Sequence, residues 1–419
     1  MSAVRSASLI LIVFAILICF VACSDSTPSN NRIDAPPFND IDTDVDTGHT
    51  TDPVKPTQKR YSFLAAGDNI IHGDIIKDAA VRSDELNSYS FLPMYKDVAD
   101  IISKADISFV NQEGPVGVES RPYAGYPNFN APPQAGDALV DLGFDIVNIA
   151  NNHMLDVREA GLLESIAYWE SKDVLLLGAY KNSSDYENIR VYEHDGIKIA
   201  FLSYTYGTNG MTLNAGSKHI IPINDDEDII RQTASAKKIA DLIFVSIHWG
   251  SDYSETSWPY GRSDFEPTNE QKRLAQLIAD CGADVIIGTH PHVIQRIEWL
   301  NGKNGNTTLC AYSLGNFINT MHANFNLVGG FLTFDIVKDN SGEAYIDSPL
   351  FIPTMTHYLT EESTGTRYGL QVYLLENYTQ SLTAIHGSQI RPGGRFTYET
   401  LVNYVKVNIP SEFLSSYYK

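Results

Sequence analysis

Gly282-Ala283-Asp284-Val285-Ile286-Ile287-Gly288-Thr289-His290-Pro291-His292 is one full repeat of the pattern on which the chain is built. Just before it, Leu274, Leu277 and Ile278 recur at helical spacing, which predicts a helix over residues 268–280 with Gly282 as its stop. After Asp284 comes a short β-branched run, read as a buried strand, that ends abruptly in polar residues. The unit recurs three times. Lys104-Ala105-Asp106 leads Ile107-Ser108-Phe109-Val110 into Asn111-Gln112-Glu113, and Gly143-Phe144-Asp145 leads Ile146-Val147-Asn148-Ile149-Ala150 into Asn151-Asn152-His153. Ala240-Asp241 leads residues 242–247 into His248-Trp249-Gly250. Helix alternating with strand implies crossover connections and an α/β fold with a largely buried sheet. Further strands are expected at residues 62–66, 198–204 and 308–312, with antiparallel pieces near 331–337 extending the sheet edge. Beyond about residue 360 the pattern fades, and residues 356–419 read as a C-terminal extension of helix and loop, with packing on the main domain left open. No solenoid-type repeat is present.

Composition narrows the class. Of 419 residues, 43% are hydrophobic and 19% charged, enough for a sizeable core, which excludes wholesale disorder and a disulfide-stapled miniprotein. Against 51 acidic residues stand 30 Lys and Arg; the resulting charge of -21 repels phosphate backbones, so nucleic acid is not an expected partner.

The N-terminal stretch reads as a targeting segment. Arg5 precedes an apolar run over residues 9–22, too short to span a bilayer, and the run closes Phe20-Val21-Ala22-Cys23. This ending is similar to a bacterial lipobox, with residues 1–22 as signal peptide and Cys23 as the lipidated residue. Ordinary secretion and a retained anchor helix are the alternatives; all three place the protein outside the cytoplasm. Residues 23–58, rich in Ser, Thr, Asn, Pro and Asp, read as a solvated tether. Its alternating aspartates lack the Gly and distal Glu of a calcium loop in register. Of four cysteines, only Cys281 and Cys310 then belong to the folded part, where two structural thiols are the simpler reading and a disulfide is permitted by the compartment.

In open α/β sheets ligands bind beyond the carboxyl ends of the strands, and there the ionisable residues collect: Asp68, His72, Glu113, Asn152, His153, His248, His290 and His292. Taken singly, each has a structural reading as turn residue, loop acid or half-buried imidazole. Two imidazoles flanking a rigid Pro at a strand end have no packing purpose, and five histidines at matching topological positions carry the joint reading of a metal site. Imidazole, carboxylate and amide together suit one or two divalent ions of Mn, Fe or Zn rather than a thiolate site or a calcium cage.

Seven ordered motifs complete the pattern: Gly67-Asp68-Asn69-Ile70-Ile71-His72, Asn111-Gln112-Glu113-Gly114-Pro115, Phe129-Asn130-Ala131-Pro132, Ala150-Asn151-Asn152-His153 with Asp156, His248-Trp249-Gly250, Gly288-Thr289-His290-Pro291-His292-Val293 and Ser313-Leu314-Gly315-Asn316-Phe317. The set resembles the capsule-synthesis CapA family, associated with poly-γ-glutamate production and similar in turn to calcineurin-like metallophosphoesterases. The resemblance implies a four-layer α/β/β/α sandwich of the metallo-dependent phosphatase type over residues 59–355. It implies Asp68 as first metal carboxylate, Glu113 as bridging carboxylate and Asn152 as amide ligand. His248 and His290 would serve one metal and His292 the other, with His153 as adjacent acid and Asp156 beside it. Two departures stand out: Ile70 occupies the early histidine position, with His72 two residues later, and the bridging residue is Glu rather than Asp. Asn111, Asn130 and Asn316, within these motifs, and Trp249 are candidates for substrate contact.

Three functions follow as expectations. The first is a lipid-anchored accessory factor of capsule, poly-γ-glutamate or cell-wall polymer biosynthesis with a metal-dependent hydrolase or transferase site; its partners would be the surface polymer and membrane synthase components. The second is a metallophosphatase or phosphodiesterase of envelope phosphoesters. The third is a non-catalytic polymer-binding scaffold using Trp249, Tyr253, Trp258 and Tyr260 as a platform, residues that read equally as a packed lid.

Overall fold

The strand expected at residues 62–66 extends over β1 (Lys59–Ile70), whose last eight residues are all buried. Continuous burial requires cover on both faces, and β1 has it. The computed structural model describes residues 58–251, 265–389 and 396–419. The signal segment, Cys23, the tether up to residue 57, and Tyr253, Trp258 and Tyr260 lie outside the described residues. From β1 the first sheet continues in parallel through β2 (Ile107–Glu113), β3 (Ile146–Asn148) and β4 (Leu175–Leu177). The chain then builds a second sheet from β5 (Arg190–His194), β6 (Ile197–Thr205), β7 (Leu242–His248), β8 (Val285–Thr289), β9 (Ile297–Asn301) and β10 (Thr307–Ala311), in the order β5-β6-β7-β8-β10-β9. It returns to the first sheet with β11 (Asn316–Ile318), β12 (Val328–Lys338), β13 (Ala344–Thr360) and β14 (Arg367–Leu374), giving β14-β13-β12-β1-β2-β3-β4 with β11 beside β1.

Strand alternation sorts the second sheet's side chains between two cores. Ile199, Phe201, Leu242 and Phe244 enter the large core, whereas Ala200, Leu202, Tyr204, Ile243, Val245 and Ile247 form a smaller one with Ile229, Leu274 and Ile278 of the helices Asp226–Ala236 and Asn269–Cys281. The two sheets meet through aromatic rings: Phe63 of β1 lies edge-on to Phe244 of β7 at 5.2 Å and stacks on Phe334 of β12 at 4.7 Å. Edge-to-face packing of this kind contributes about 0.5–1.5 kcal/mol beyond area burial. Helices Gly73–Arg82, Pro133–Leu142 and Arg158–Glu170 add Ile75, Leu139 and Trp169 to the large core. Helices, sheet, sheet and helices are the four layers expected of a metallo-dependent phosphatase-like α/β fold.

The helix Asn269–Cys281 starts at a reciprocal capping box, Thr268 with Gln271, and ends with Gly282 in the left-handed region at φ 89°. Cys281 and Cys310 are both free, and only Cys310 is buried. Among the described residues no helix is long and apolar enough to cross a membrane.

The C-terminal part departs from the sequence reading. The expected boundary after residue 355 falls inside the 17-residue strand β13, and β14 forms the sheet edge where helix and loop were expected. Leu370, Val372, Leu401, Val405, Phe413 and Tyr418 join the main core, so this segment is part of the sandwich.

Candidate metal centre

The parallel β1–β2 ladder brings two carboxylates together. Its register sets Asp68 opposite Asn111 and Ile70 opposite Glu113, with a shift between Ala66 and Asp68. That irregularity sits at Gly67, where an added Cβ would lie 2.0 Å from the carbonyl oxygen of Gly315; only glycine allows β11 to approach and set Asn316 beside Asp68. From the second sheet, β7 ends on His248, and the turn after β8 carries His290 and His292 at φ values of 98° and 56°. Non-glycine residues at such angles are held there by their surroundings, a frequent mark of functional sites.

Asp68, Glu113 and His248 present donor atoms that all lie within 4.8 Å of one another, and all three are buried. One Asp68 oxygen accepts Asn111 Nδ2–H at 2.6 Å and the other accepts the His290 backbone N–H at 3.1 Å. Behind Asn111 runs an amide relay that crosses between the sheets: Asn148 donates to Asn111 Oδ1 at 2.7 Å, and Ser203 of β6 donates to Asn148 Oδ1. His292 Nδ1 lies 3.0 Å from Asn316 Oδ1 and 3.4 Å from Asp68, so its proton belongs on that side. This turns the Nε2 lone pair toward Glu113 Oε1, 3.7 Å away. His248 Nδ1 is bonded to Thr289 Oγ1 at 2.9 Å, and its Nε2 stands 3.0 Å from Asn152 Oδ1. Asn152 is oriented in turn by donating to Asn209 Oδ1 at 3.1 Å.

These residues fit a divalent cation. Imidazole nitrogen, amide oxygen and carboxylate, brought together here as His248, Asn152, Asp68 and Glu113, are donor types that such an ion takes. The His290 Nδ1 atom is buried and has no hydrogen-bond partner among the described residues. Burial, followed by the neighbouring imidazoles, pushes His248 and His290 well below the usual histidine range, which keeps both neutral and ready to ligate. Two fully enclosed carboxylates among neutral imidazoles are a charge arrangement that a cation balances.

The other expected site residues are placed as follows. His153 and Asp156 form a pair, Nδ1 to Oδ2 at 2.8 Å, with His153 Nε2 3.8 Å from Glu113. Burial lowers the His153 pKa, but the hydrogen bond to Asp156 and the charges of Glu113 and Asp156 outweigh it, and the net shift is upward. His72 is adjacent, its Nδ1 accepting the Thr320 N–H at 3.2 Å; the neutral ring therefore carries its proton on Nε2 and has no lone pair left for a cation. Burial, then nearby His292 and Arg367, pushes its pKa down to about 3. Asn130 braces its own loop by donating to the carbonyls of Val118, Arg121 and Pro122. Trp249, read equally as a platform or as part of a packed lid, is 1% exposed, donates to the Tyr312 carbonyl at 2.9 Å and belongs to the smaller core, so its ring is packed and offers no face to a ligand.

Sequence reading missed Tyr206, Asn209, Asn148 and Ser203. Tyr206, directly after β6, is 39% exposed and lies 4.6 Å from the His290 ring and parallel to His248. The available signal was a polar residue inside or just after a buried apolar run.

A sequence model of the family described as "Bacterial capsule synthesis protein PGA_cap" matches residues 62–321. The chain belongs to that family. It is 34% identical over 182 residues to the PGA biosynthesis protein CapA of Bacillus subtilis (strain 168), an alignment covering 43% of this chain and 44% of the relative. It is 30% identical over 255 residues to the capsule biosynthesis protein CapA of Bacillus anthracis, covering 59% and 58%. The chain thus spans about half the length of these curated relatives. Among solved structures, it is similar to the NAD nucleotidase NadN of Haemophilus influenzae at 13% identity and a TM-score of 0.41, covering 85% of this chain and 57% of that one. It is also similar to the 5'-nucleotidase precursor of Thermus thermophilus at 12% identity and a TM-score of 0.42, covering 83% and 59%.

Proposed function

We propose that this chain acts outside the cytoplasm, held to a membrane by lipid on Cys23, as an accessory of capsule or cell-wall polymer biosynthesis. Its strand-end site hydrolyses or transfers an ester or amide link in an anionic envelope polymer such as poly-γ-glutamate, working beside membrane synthase components. The observation that carries this reading is the enclosure of Asp68, Glu113 and His248 in one group with the His153–Asp156 pair alongside.

One or two divalent ions of Mn, Fe or Zn, held by Asp68, Glu113, Asn152, His248, His290 and His292, would supply polarisation of the scissile centre and acidification of a water. The chain's own residues do the rest. Asp156 orients His153 and favours its protonated form, so that Nε2 can deliver a proton to the leaving group. Asn209 fixes the amide of Asn152, and Asn316 fixes the ring of His292. Enclosure of the group limits access of bulk water.

Metal analysis of the purified chain, combined with assays on poly-γ-glutamate and on an aryl phosphodiester, tests this reading. Bound transition metal and polymer cleavage or transfer, both lost in Glu113→Gln, are expected. Turnover of the phosphodiester alone, abolished by Glu113→Gln and His153→Ala, moves the site to phosphoester chemistry. A folded chain that never retains metal overturns both.

A further inference from the structure

Beyond the residues that the family model matches, β14 begins at Arg367, whose charge acts on the His72 ring beside the strand-end group. The Arg367 backbone N–H donates to Asp74 Oδ2 at 3.3 Å, and its guanidinium lies 3.4 Å from the same oxygen. Asp74 follows His72 by two residues. The segment from Thr320 to His322 closes the other side: the Thr320 N–H donates to His72, while Arg367 Nη2 donates to His322 Nδ1 at 2.6 Å. The guanidinium sits 5.4 Å from the centre of the Tyr358 ring, and the Tyr358 hydroxyl donates to the Met321 carbonyl at 3.0 Å.

This packing holds the guanidinium in place without using it up. Its side chain is only 11% exposed, yet two of its five N–H donors have acceptors among the described residues. The Asp74 contact is long, and Asp74 also takes the ammonium of Lys77 at 3.0 Å. A merely structural arginine at this depth would spend its donors on carbonyls or a close carboxylate. A planar, half-committed guanidinium beside a metal centre is instead a fork for two oxygens of an anion.

We propose that Arg367, held by His322, Tyr358 and Asp74, binds an oxyanion of the substrate, a carboxylate or a phosphate, next to the reacting group. This specifies the substrate of the site proposed above and rests on that reading for the chemistry, though not for the binding. The subsite gives the C-terminal strands a role in recognition and selects for chains bearing an anionic group near the scissile link.

Titration calorimetry on the manganese-loaded full chain, with a γ-linked glutamate pentamer and with bis(4-nitrophenyl) phosphate as probes, tests it. Wild type is expected to bind at least one probe, and Arg367→Gln to weaken that binding roughly ten- to hundredfold. Arg367→Lys, which keeps the charge and loses the fork, recovers part of the affinity. Arg273→Gln, which breaks an exposed ion pair with Asp226 outside this group, should leave affinity within about twofold. The preferred probe tells carboxylate from phosphate. Equal binding by wild type and Arg367→Gln, an Arg273→Gln loss as large as that of Arg367→Gln, or wild type binding neither probe overturns the proposal. Manganese content, measured on the same samples, separates the two readings. A chain without manganese that still binds the probe through Arg367 breaks the metal-site reading alone. A manganese-loaded chain with turnover dependent on Glu113 and binding indifferent to Arg367 breaks the subsite alone.

Discussion

Two histidine clusters are buried among the described residues, and their chemistry is opposite. In the strand-end cluster, His248 and His292 lie near Asp68 and Glu113, the His290 ring lies beside both imidazoles, and its Nδ1 atom has no hydrogen-bond partner among the described residues. In the C-terminal cluster, His386 spends both nitrogens on neutral groups, accepting from the Ser388 N–H at 2.9 Å and donating to the Thr356 carbonyl at 3.2 Å, while stacking on Phe396. His357 is bonded to the Tyr378 hydroxyl at 2.7 Å. Burial depresses the pKa in both clusters, so a low pKa does not mark a ligand. The partners do: nearby carboxylates and one spare ring nitrogen, on His290, in one place, neutral hydrogen-bond partners in the other.

The sharpest way to break this contrast is to remove a charge. Asp68→Asn or Glu113→Gln should abolish stoichiometric metal binding and turnover while circular dichroism stays unchanged, whereas His386→Gln should leave metal content as in wild type; elemental analysis of the purified variants checks both. Next in size, His153→Ala should lower turnover by ~10²–10⁴-fold with the metal retained, because His153 is assigned a proton and not a cation. Parallel kinetics and metal analysis measure this, and loss of metal would make His153 a ligand. Smaller again, Asn316→Ala frees the His292 ring and should weaken metal affinity by ~10–100-fold in a competition titration.

The smallest effect separates the clusters by pH. His386 and His357 are pushed down to about 3 and about 4 in the fold, against an ordinary value near 6.5. The unfolded chain therefore binds more protons below about pH 6.5. Stability from this pair is complete above that pH and declines toward about pH 3 by up to ~1.4 kcal/mol per unit for each histidine. Unfolding midpoints for wild type and His386→Gln at saturating metal should show a shallower acid slope in the variant. Equal slopes would mean that the pair does not control acid stability.

Much of the site was legible because each strand-end unit ends its apolar run on a chemically committed residue, as with Ile247-His248 and the His290-Pro291-His292 turn. The topology then brought together residues from both sheets. What stayed hidden depends on tertiary contact. Asn148 and Ser203 act by facing each other across the sandwich, and Asn209 acts by meeting Asn152, neither of which periodicity encodes. Trp249 stayed undecided between platform and packed ring because aromatic character does not reveal which face of the strand it extends. β13 and β14 were missed because Pro353 argues against a strand with neighbours on both sides, yet it is tolerated opposite Gly330; half of β13 is also only partly buried, which blurs its alternation.

The first strand of the sandwich waits a long time for its later neighbours. Lys59 pairs with Lys338, and Asp68 meets Asn316, so one edge of β1 stays open until most of the polypeptide exists. Pairings this remote slow folding through loop-closure entropy. Asp68 comes beside the His290 turn by the same closure. Competence to hold a cation is therefore a late event in the life of the chain, and ion capture would act as a latch on the finished molecule, stabilising only copies in which both sheets have closed.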